Sequence, residues 1–572
     1  MISKESFSRI HIISAVTIFV AVLFIIKLFF VQILYSSTYR EKADRQYATP
    51  SGSIFERGAI YFSTKTNELV SAATLQTGYK VAIHPKEILD KEATYRTLVE
   101  FIPELSQEEF TTKAEKSHDP YEEIATKLTK EQADGIAARK IAGVDIYKEK
   151  WRFYPGGALF SHGIGFVGFK GKELAGRYGL ERFYNDTLSR KKDTAYVNFF
   201  AEVFTNITDR FFENQSKEGD VVLSIEPSVQ NFLETTLGGV DKKWQSAFSG
   251  GIILDPKTGA IYAMALSPDF NINQFQKEES VDVFQNKIVE SVFEAGSVVK
   301  PLVMAAALDA GVVTPKTTYT DKGFIDVDDR TFSNFDKVGR GPNTSMQDVL
   351  TQSLNTGMVF VMQKLGKEKF HDYMFNYDLA EKTGIDLPNE ITGLLSNLKT
   401  PSNVAYATAS FGQGIAITPI AEAKAFASLA NGGYLITPHV VKQVRYTNGT
   451  KKDIVYEKGR QVLKPETSEA ITRMLTVAFD TNVKEHNTLL SHYSIAGKTG
   501  TAQVAKEQGG GYYDDKHLHS FFGYFPAHDP RFLVVLFTSD PKGVNFASQT
   551  LIPPFTDVAR FLISYYDIPP DR

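Results

Sequence analysis

Ser297 and Lys300 stand together in the run GSVVKPLVMAAALDAG. Its Ala-rich, apolar content favours a helix, and Pro301 is tolerated only near the start of one. Residues three apart share a helix face, so the amine of Lys300 can reach the hydroxyl of Ser297. The chemistry of such a pair is nucleophilic. A serine hydroxyl attacks poorly until a base takes its proton, and a lysine is a base only while neutral. Burial and a second cation both lower an ammonium pKa, and Lys498 is the candidate second cation. Ser-x-x-Lys also starts at Ser189, Ser396 and Ser539. These copies lie in a basic loop, a polar loop before Pro401 and an Asp-Pro turn. Lys-Thr-Gly starts at Lys257, Lys382 and Lys498. Lys257 falls in a hairpin turn and Lys382 precedes the loop GIDLPNE, whereas Lys498 opens a strand. Ser353-Leu354-Asn355 lies between. Ser297 alone would read as a helix N-cap; three ordered motifs, Ser297/Lys300, Ser353/Asn355 and Lys498/Thr499/Gly500/Thr501, argue for a site.

The elements that must hold these residues are legible in outline. Residues 51–84 read as short strands and turns, and residues 86–142 have helical spacing with many charges. Strand and turn signals return up to Leu188. A polar run at residues 214–219 marks a boundary. After it, Pro227 opens a helix, and SGGIILDPKTGAIYAMA reads as a hairpin. Helices and loops fill residues 281–431. Strands come back in SIAGKTGTAQVA, HSFFGYFPA and RFLVVLFTS, with a last helix over residues 552–566. Strands at both ends with helices between predict an α+β domain whose sheet joins N- and C-terminal strands. The expected organisation is a tail (1–9), a membrane span (10–34), a stalk (35–50), a mixed first domain (51–215) and a catalytic domain (216–572).

Length and composition agree. A chain of 572 residues exceeds one ordinary domain. A net charge of −4 leaves no basic surplus, so nucleic acid is not expected as a partner. The absence of cysteine removes disulfides, thiol catalysis and thiolate metal sites. Residues 10–34 are long and apolar enough to cross a bilayer core of about 30 Å, with Lys27 able to snorkel. No A-x-A-like site follows, so an uncleaved anchor is expected rather than a signal peptide. Lys4 and Arg9 before the span and Arg40, Lys42 and Arg45 after it leave its orientation undecided by flanking charge. His517 and His519 share one strand face. They have no third ligand, so a solvated edge is expected, with no metal and no cofactor. The aromatic stretch over residues 196–212 could be a partner surface, a membrane surface or packing.

The three ordered motifs form a set found in penicillin-binding proteins, and the chain resembles their class B. Further pieces carry the resemblance: RGAI from Arg57, RFYPGG from Arg152, YGLERFYNDTL from Tyr178, TGIDLPNE from Thr383, FGQGIAITP from Phe411 and NGG from Asn431. No glycosyltransferase-like region precedes them. The S-x-N form followed by TGMVF, the compact length and SFFGYFPAHDPR resemble the division-type enzyme more than the elongation-type one. Ala295 replaces the usual proline, and YFST replaces the usual Asp-Arg after Arg57-Gly58. The resemblance implies a cell-wall D,D-transpeptidase. Ser297 would attack the carbonyl between two D-alanines of a stem peptide, with Lys300 as base. Backbone N–H groups of Ser297 and Thr501 would hold the oxyanion. Ser353 would relay a proton to the leaving amine, and Asn355 would bind the peptide amide. Lys498, Thr499 and Thr501 would hold the carboxylate, with Gly500 beside them. β-Lactams would acylate Ser297. Partners implied are peptidoglycan stem peptides, the membrane, a membrane glycosyltransferase and other division proteins. A D,D-carboxypeptidase or β-lactam-hydrolysing relative and a non-catalytic division scaffold are the alternatives.

Overall fold

The computed structural model describes residues 55–190 and 218–572, apart from 172, 458, 484–489 and 507–509. The expected tail, membrane span, stalk and aromatic stretch lie outside the described residues. Among the described residues, no helix is long and apolar enough to cross a membrane. The chain divides into two compact units, one holding Leu75–Trp151 and the other Glu56–Thr74 with Arg152–Arg572.

In the first unit, strand Leu69–Ile83 pairs with strands Glu122–Leu128 and Val144–Phe153. Helices Lys91–Val99, Gln107–Ala114 and Lys130–Ala138 pack beside them, capped by the side chains of Asp90, Ser106 and Thr129. Leu98, Phe110 and Ile136 bury with Val81, Ile83, Ile124 and Leu128. The helical spacing expected over residues 86–142 is therefore interrupted by a strand. Within it, Glu122, Ile124 and Leu128 are buried, and Thr126 and Lys127 are exposed. The buried Glu122 carboxylate is matched by Lys116 at 3.0 Å. Pairing along Leu69–Ile83 overrides the local helical spacing.

The second unit is built on a five-stranded antiparallel sheet. Its strands are β1 (Phe248–Leu254), β2 (Ile261–Ser267), β3 (Ala496–Ala505), β4 (Tyr512–Phe525) and β5 (Phe532–Ser539). The order β3-β4-β5-β1-β2 joins N- and C-terminal strands, as predicted for an α+β domain. The strands are apolar because both faces are covered. Ile253, Phe521, Phe525 and Val534 face helices α1 (Pro227–Trp244) and α6 (Ala547–Tyr565), burying with Leu233, Leu551 and Phe555. Alternate residues Ile252, Phe522, Tyr524 and Val535 join the other core. There Phe522 stacks on Phe426 at 4.0 Å. This core contains α2 (Lys300–Asp309), α3 (Asn355–Leu365), α4 (Pro419–Ala430) and α5 (Pro465–Val483).

Strand Ile60–Ser63 runs parallel to Gly219–Leu223, which pairs with Val441–Tyr446. Three of the family-like pieces also meet here. Arg57 Nε donates to Glu181 Oε2 at 2.5 Å and Arg152 Nε to Glu181 Oε1 at 2.6 Å. Glu181 is fully buried. Burial pushes its carboxyl up, but Arg152 and Arg57 together hold it below the ordinary range.

Candidate active site

Ser297 lies in a 3₁₀ turn, Gly296–Val299, that runs directly into α2. Pro301 occupies the first turn of α2, where its missing N–H costs nothing. The turn is pressed against edge strand β3 through glycine. Gly296 has φ +64, and a Cβ there would come within 2.9 Å of Thr501 O. A Cβ on Gly500 would meet Ser520 Oγ at 2.5 Å and Ala295 O at 2.8 Å. Ala295, the departure from proline, has φ −72 and is buried. A proline ring would take that same φ, so the alanine keeps the backbone the family residue favours. Its carbonyl accepts from Ser520 Oγ at 3.0 Å.

Ser353 follows the short helix Met346–Thr351 and precedes α3. Its φ is +56, a left-handed conformation that costs a serine roughly 1–2 kcal/mol. Such strain persists where surrounding contacts hold it. Lys300 Nζ supplies them, donating to Ser353 O at 2.6 Å and to Asn355 Oδ1 at 2.7 Å. Lys300 Nζ also lies 3.3 Å from Ser353 Oγ. On the other side, Lys498 Nζ donates to Ser353 Oγ and to Thr499 O, each at 3.0 Å. Asn355 Nδ2 donates to Ser333 O at 3.0 Å.

The structure thus brings Lys300, Ser353, Asn355 and Lys498 into one hydrogen-bonded group beside the Ser297 turn. It differs from the sequence expectation in one respect. Lys300 bonds to Ser353 and Asn355, and among the described residues Ser297 Oγ has no hydrogen-bond partner. Spacing along a helix sets which side chains can meet, not which acceptors compete for the amine. Both lysines are buried. Burial, then repulsion from Lys498, holds the Lys300 amine well below the ordinary lysine range. Burial alone lowers Lys498 to about 8. Thr499, Gly500 and Thr501 continue along β3, whose outer edge pairs with no other strand among the described residues. Thr501 Oγ1 accepts from Ala547 N at 3.3 Å.

Other groups support the site without a motif to announce them. Asp321 is buried and accepts from Asn334 Nδ2 at 2.9 Å, Arg340 N at 3.0 Å, Gly323 N at 2.9 Å and Thr356 Oγ1 at 2.9 Å. Thr356 follows Asn355, so this carboxylate anchors the start of α3. Glu294, three residues before Ser297, accepts from Tyr512 Oη at 3.0 Å and Gly414 N at 3.1 Å. Only the position of Glu294 beside Gly296-Ser297 could have flagged it in the sequence. The expectation is corrected for His519, while His517 is half-buried. β4 lies between β3 and β5, so His519 is fully buried rather than at a solvated edge. Its Nδ1 lies 2.9 Å from Thr550 Oγ1, and burial lowers its pKa to about 4. Among the described residues, no group of His, Asp and Glu could hold a metal ion.

Residues 250–557 match the penicillin binding protein transpeptidase domain, and residues 55–222 match the penicillin-binding protein dimerisation domain. Stage V sporulation protein D of Bacillus subtilis (strain 168) is 30% identical over 501 residues, covering 86% of this chain and 76% of that protein. The probable peptidoglycan D,D-transpeptidase PenA of Neisseria meningitidis serogroup A is 25% identical over 579 residues, covering 98% and 94%. Among solved structures, penicillin binding protein 3 of Mycobacterium tuberculosis complexed with aztreonam aligns over 91% of this chain and 98% of that one. Its TM-score is 0.67 at 20% identity. Penicillin binding protein 2X of Streptococcus thermophilus aligns over 89% and 80%, with a TM-score of 0.70 at 20% identity. These two likenesses concern the fold. The chain belongs to the class B penicillin-binding proteins, in which dimerisation and transpeptidase domains share one chain, and is a serine-type peptidoglycan D,D-transpeptidase.

Proposed function

We propose that the protein cross-links stem peptides through an acyl-enzyme on Ser297, at division, from the outer side of the bacterial cell membrane. The observation that carries this reading is the pair of buried lysines meeting at one hydroxyl. Two ammonium groups sharing Ser353 Oγ repel each other, so one stays neutral. Lys300, whose amine is lowered by burial and by Lys498 together, is that one. A neutral Lys300 can accept the Ser353 proton while Lys498 donates to the same oxygen, giving a wire of three groups.

When a donor peptide enters, Lys300 takes the proton of Ser297, and Ser297 Oγ attacks the carbonyl between the two D-alanines. Base catalysis of this kind contributes about 10² to 10⁴ in rate. The backbone N–H groups of Ser297 and Thr501 hold the oxyanion, each worth about 10² to 10³. The C–N bond breaks as Ser353 gives its proton to the leaving amine and is resupplied through the lysines. Asn355 binds the peptide amide. Lys498, Thr499 and Thr501 hold the terminal carboxylate, with Gly500 allowing close approach. An amine from a second peptide then takes the acyl group. β-Lactams stop at the acyl stage. Penicillin binding protein 3 of Mycobacterium tuberculosis, which shares this fold, is complexed with the β-lactam aztreonam, and that supports the same susceptibility here.

Residues 10–34 would anchor the chain, residues 51–215 would act as a pedestal and residues 216–572 would carry the chemistry. The resemblance of TGMVF and SFFGYFPAHDPR to division-type enzymes supports a role there, with a membrane glycosyltransferase and division proteins as partners. The test is incubation with a donor peptide ending in D-Ala-D-Ala and an acceptor amine. The expected result is D-alanine release matched by cross-linked product, lost in Ser297→Ala. Release matched only by hydrolysed donor would make the protein a carboxypeptidase. No release at all would make it a scaffold.

A further inference from the structure

Helix α6 starts beside edge strand β3 without a cap of its own: Phe546, the residue before it, offers no side-chain hydrogen bond. Its first N–H, on Ala547, goes instead to Thr501 Oγ1 at 3.3 Å. That is long for an N–H···O bond, usually about 2.9–3.0 Å, so a small shift of the turn breaks it. The turn is also loosely joined to its own helix. Pro553 and Pro554 stand where N–H groups would otherwise return to Gln549 O and Thr550 O. What holds the turn is a closed ring of four residues. Thr550 Oγ1 donates to Ala547 O at 3.2 Å, and His519 Nδ1 lies 2.9 Å from the same hydroxyl. With its one proton spent on a carbonyl, the hydroxyl accepts from His519 Nδ1–H. His519 pairs across the sheet with Thr501, which closes the ring. His519, Ala547 and Thr550 are buried, so solvent does not compete for these bonds. The Asn545 backbone, two residues before α6, faces the same imidazole. On the other side of His519, Thr538 donates to Ser246 Oγ and accepts from Ser249 Oγ, so its hydroxyl is engaged elsewhere.

We propose that His519 is a positioning residue for the substrate's terminal carboxylate: through Thr550 it fixes the first turn of α6, so that Ala547 N–H occupies a lone pair of Thr501 Oγ1 and the Thr501 proton is left for the carboxylate. The inference rests on the acyl-enzyme reading above, in which Thr501 holds that carboxylate. A threonine hydroxyl has one proton and two lone pairs and rotates to suit its neighbours. A carboxylate only accepts, so the hydroxyl serves it only with the proton turned outward. An N–H donated from the helix side enforces that orientation. It also strengthens the bond that the hydroxyl makes in turn, because hydrogen bonds in a chain polarise one another. None of the three motifs contains His519 or Thr550. The histidine bears on the site because it lies across from Thr501 and reaches the turn that caps Thr501.

The test compares, on the full chain in detergent, acylation by a penicillin and by its methyl ester, which lacks the negative charge. Thr550→Val keeps the side-chain shape and removes the hydroxyl, and His519→Leu removes the donor. Each should slow acylation by the penicillin about tenfold, as weakening a hydrogen bond to a charged group would, and leave the rate with the ester nearly unchanged. Thr550→Ser and His519→Asn, which put back a hydroxyl and an N–H at the same places, should recover most of the native preference for the carboxylate. Thr550→Val should add little to Thr501→Val, because it acts through that hydroxyl. Both rates are read on one preparation, so a variant that folds in lower yield still reports their ratio. Equal slowing with penicillin and ester, slowing with neither, or fully additive losses with Thr501→Val would overturn the positioning role alone. A native protein that penicillin does not acylate would overturn the acyl-enzyme reading, and this role with it.

Discussion

At the scale of single residues, the proposed chemistry would turn on which of two lysines keeps its proton. Lys498 is lowered to about 8 by burial, and Lys300 is lowered further from the ordinary range because it also feels Lys498. A base works above its pKa and a cation below its own. Acylation by penicillin should therefore rise with pH as Lys300 becomes neutral, then fall above about 8 as Lys498 loses its charge. A pH series of acylation rates checks this, and Lys498→Met should lose the alkaline limb. A rate that climbs steadily through the alkaline range would contradict the assignment. Lys300→Ala should slow acylation about 10² to 10⁴-fold, read by a time course with fluorescent penicillin. The types and order of Ser297, Lys300, Ser353, Asn355 and Lys498 were legible because each motif keeps a fixed local spacing, even where it crosses from a turn into a helix. That Lys300 spends its hydrogen bonds on Ser353 and Asn355 was not, since those acceptors come from the start of α3 and the turn before it, distant in the chain.

At the scale of elements, the site is a junction of a turn, a loop and an edge strand. Gly296 allows the turn to meet β3: its φ is +64 and a side chain would press on Thr501 O. Gly296→Ala should lose about 1–2 kcal/mol from backbone strain alone, lowering the midpoint of denaturant unfolding together with the acylation rate. Asp321→Ala should cost about 1–3 kcal/mol for each donor it leaves unmatched among Asn334, Thr356 and two backbone N–H groups. Unfolding curves of the two variants compare these costs. The hairpin of β1 and β2 and the strands β3 to β5 were readable from apolar runs and turn residues. Strand Glu122–Leu128 was not, because its charged residues also satisfy helical spacing and only pairing along Leu69–Ile83 decides. His519 likewise read as an edge residue, since local sequence does not reveal that its strand is covered on both faces.

At the scale of the whole molecule, residues distant in sequence are tied to the catalytic unit by one buried ion group. Glu181 lies between Arg57 and Arg152. Removing it would leave two guanidinium groups buried without their counter-charge, so Glu181→Ala should destabilise the second unit by about 3–5 kcal/mol. Denaturant unfolding with penicillin binding as the readout would detect it. The pieces RGAI, RFYPGG and YGLERF were visible as resemblances, yet nothing local announced that they meet at one carboxylate. The central claim is that Ser297 is the acylated nucleophile, and peptide mapping of penicillin-treated protein by tandem mass spectrometry tests it most directly. The mass of one opened β-lactam should sit on the Ser297 hydroxyl and vanish in Ser297→Ala. A stoichiometric adduct on any other serine would contradict it.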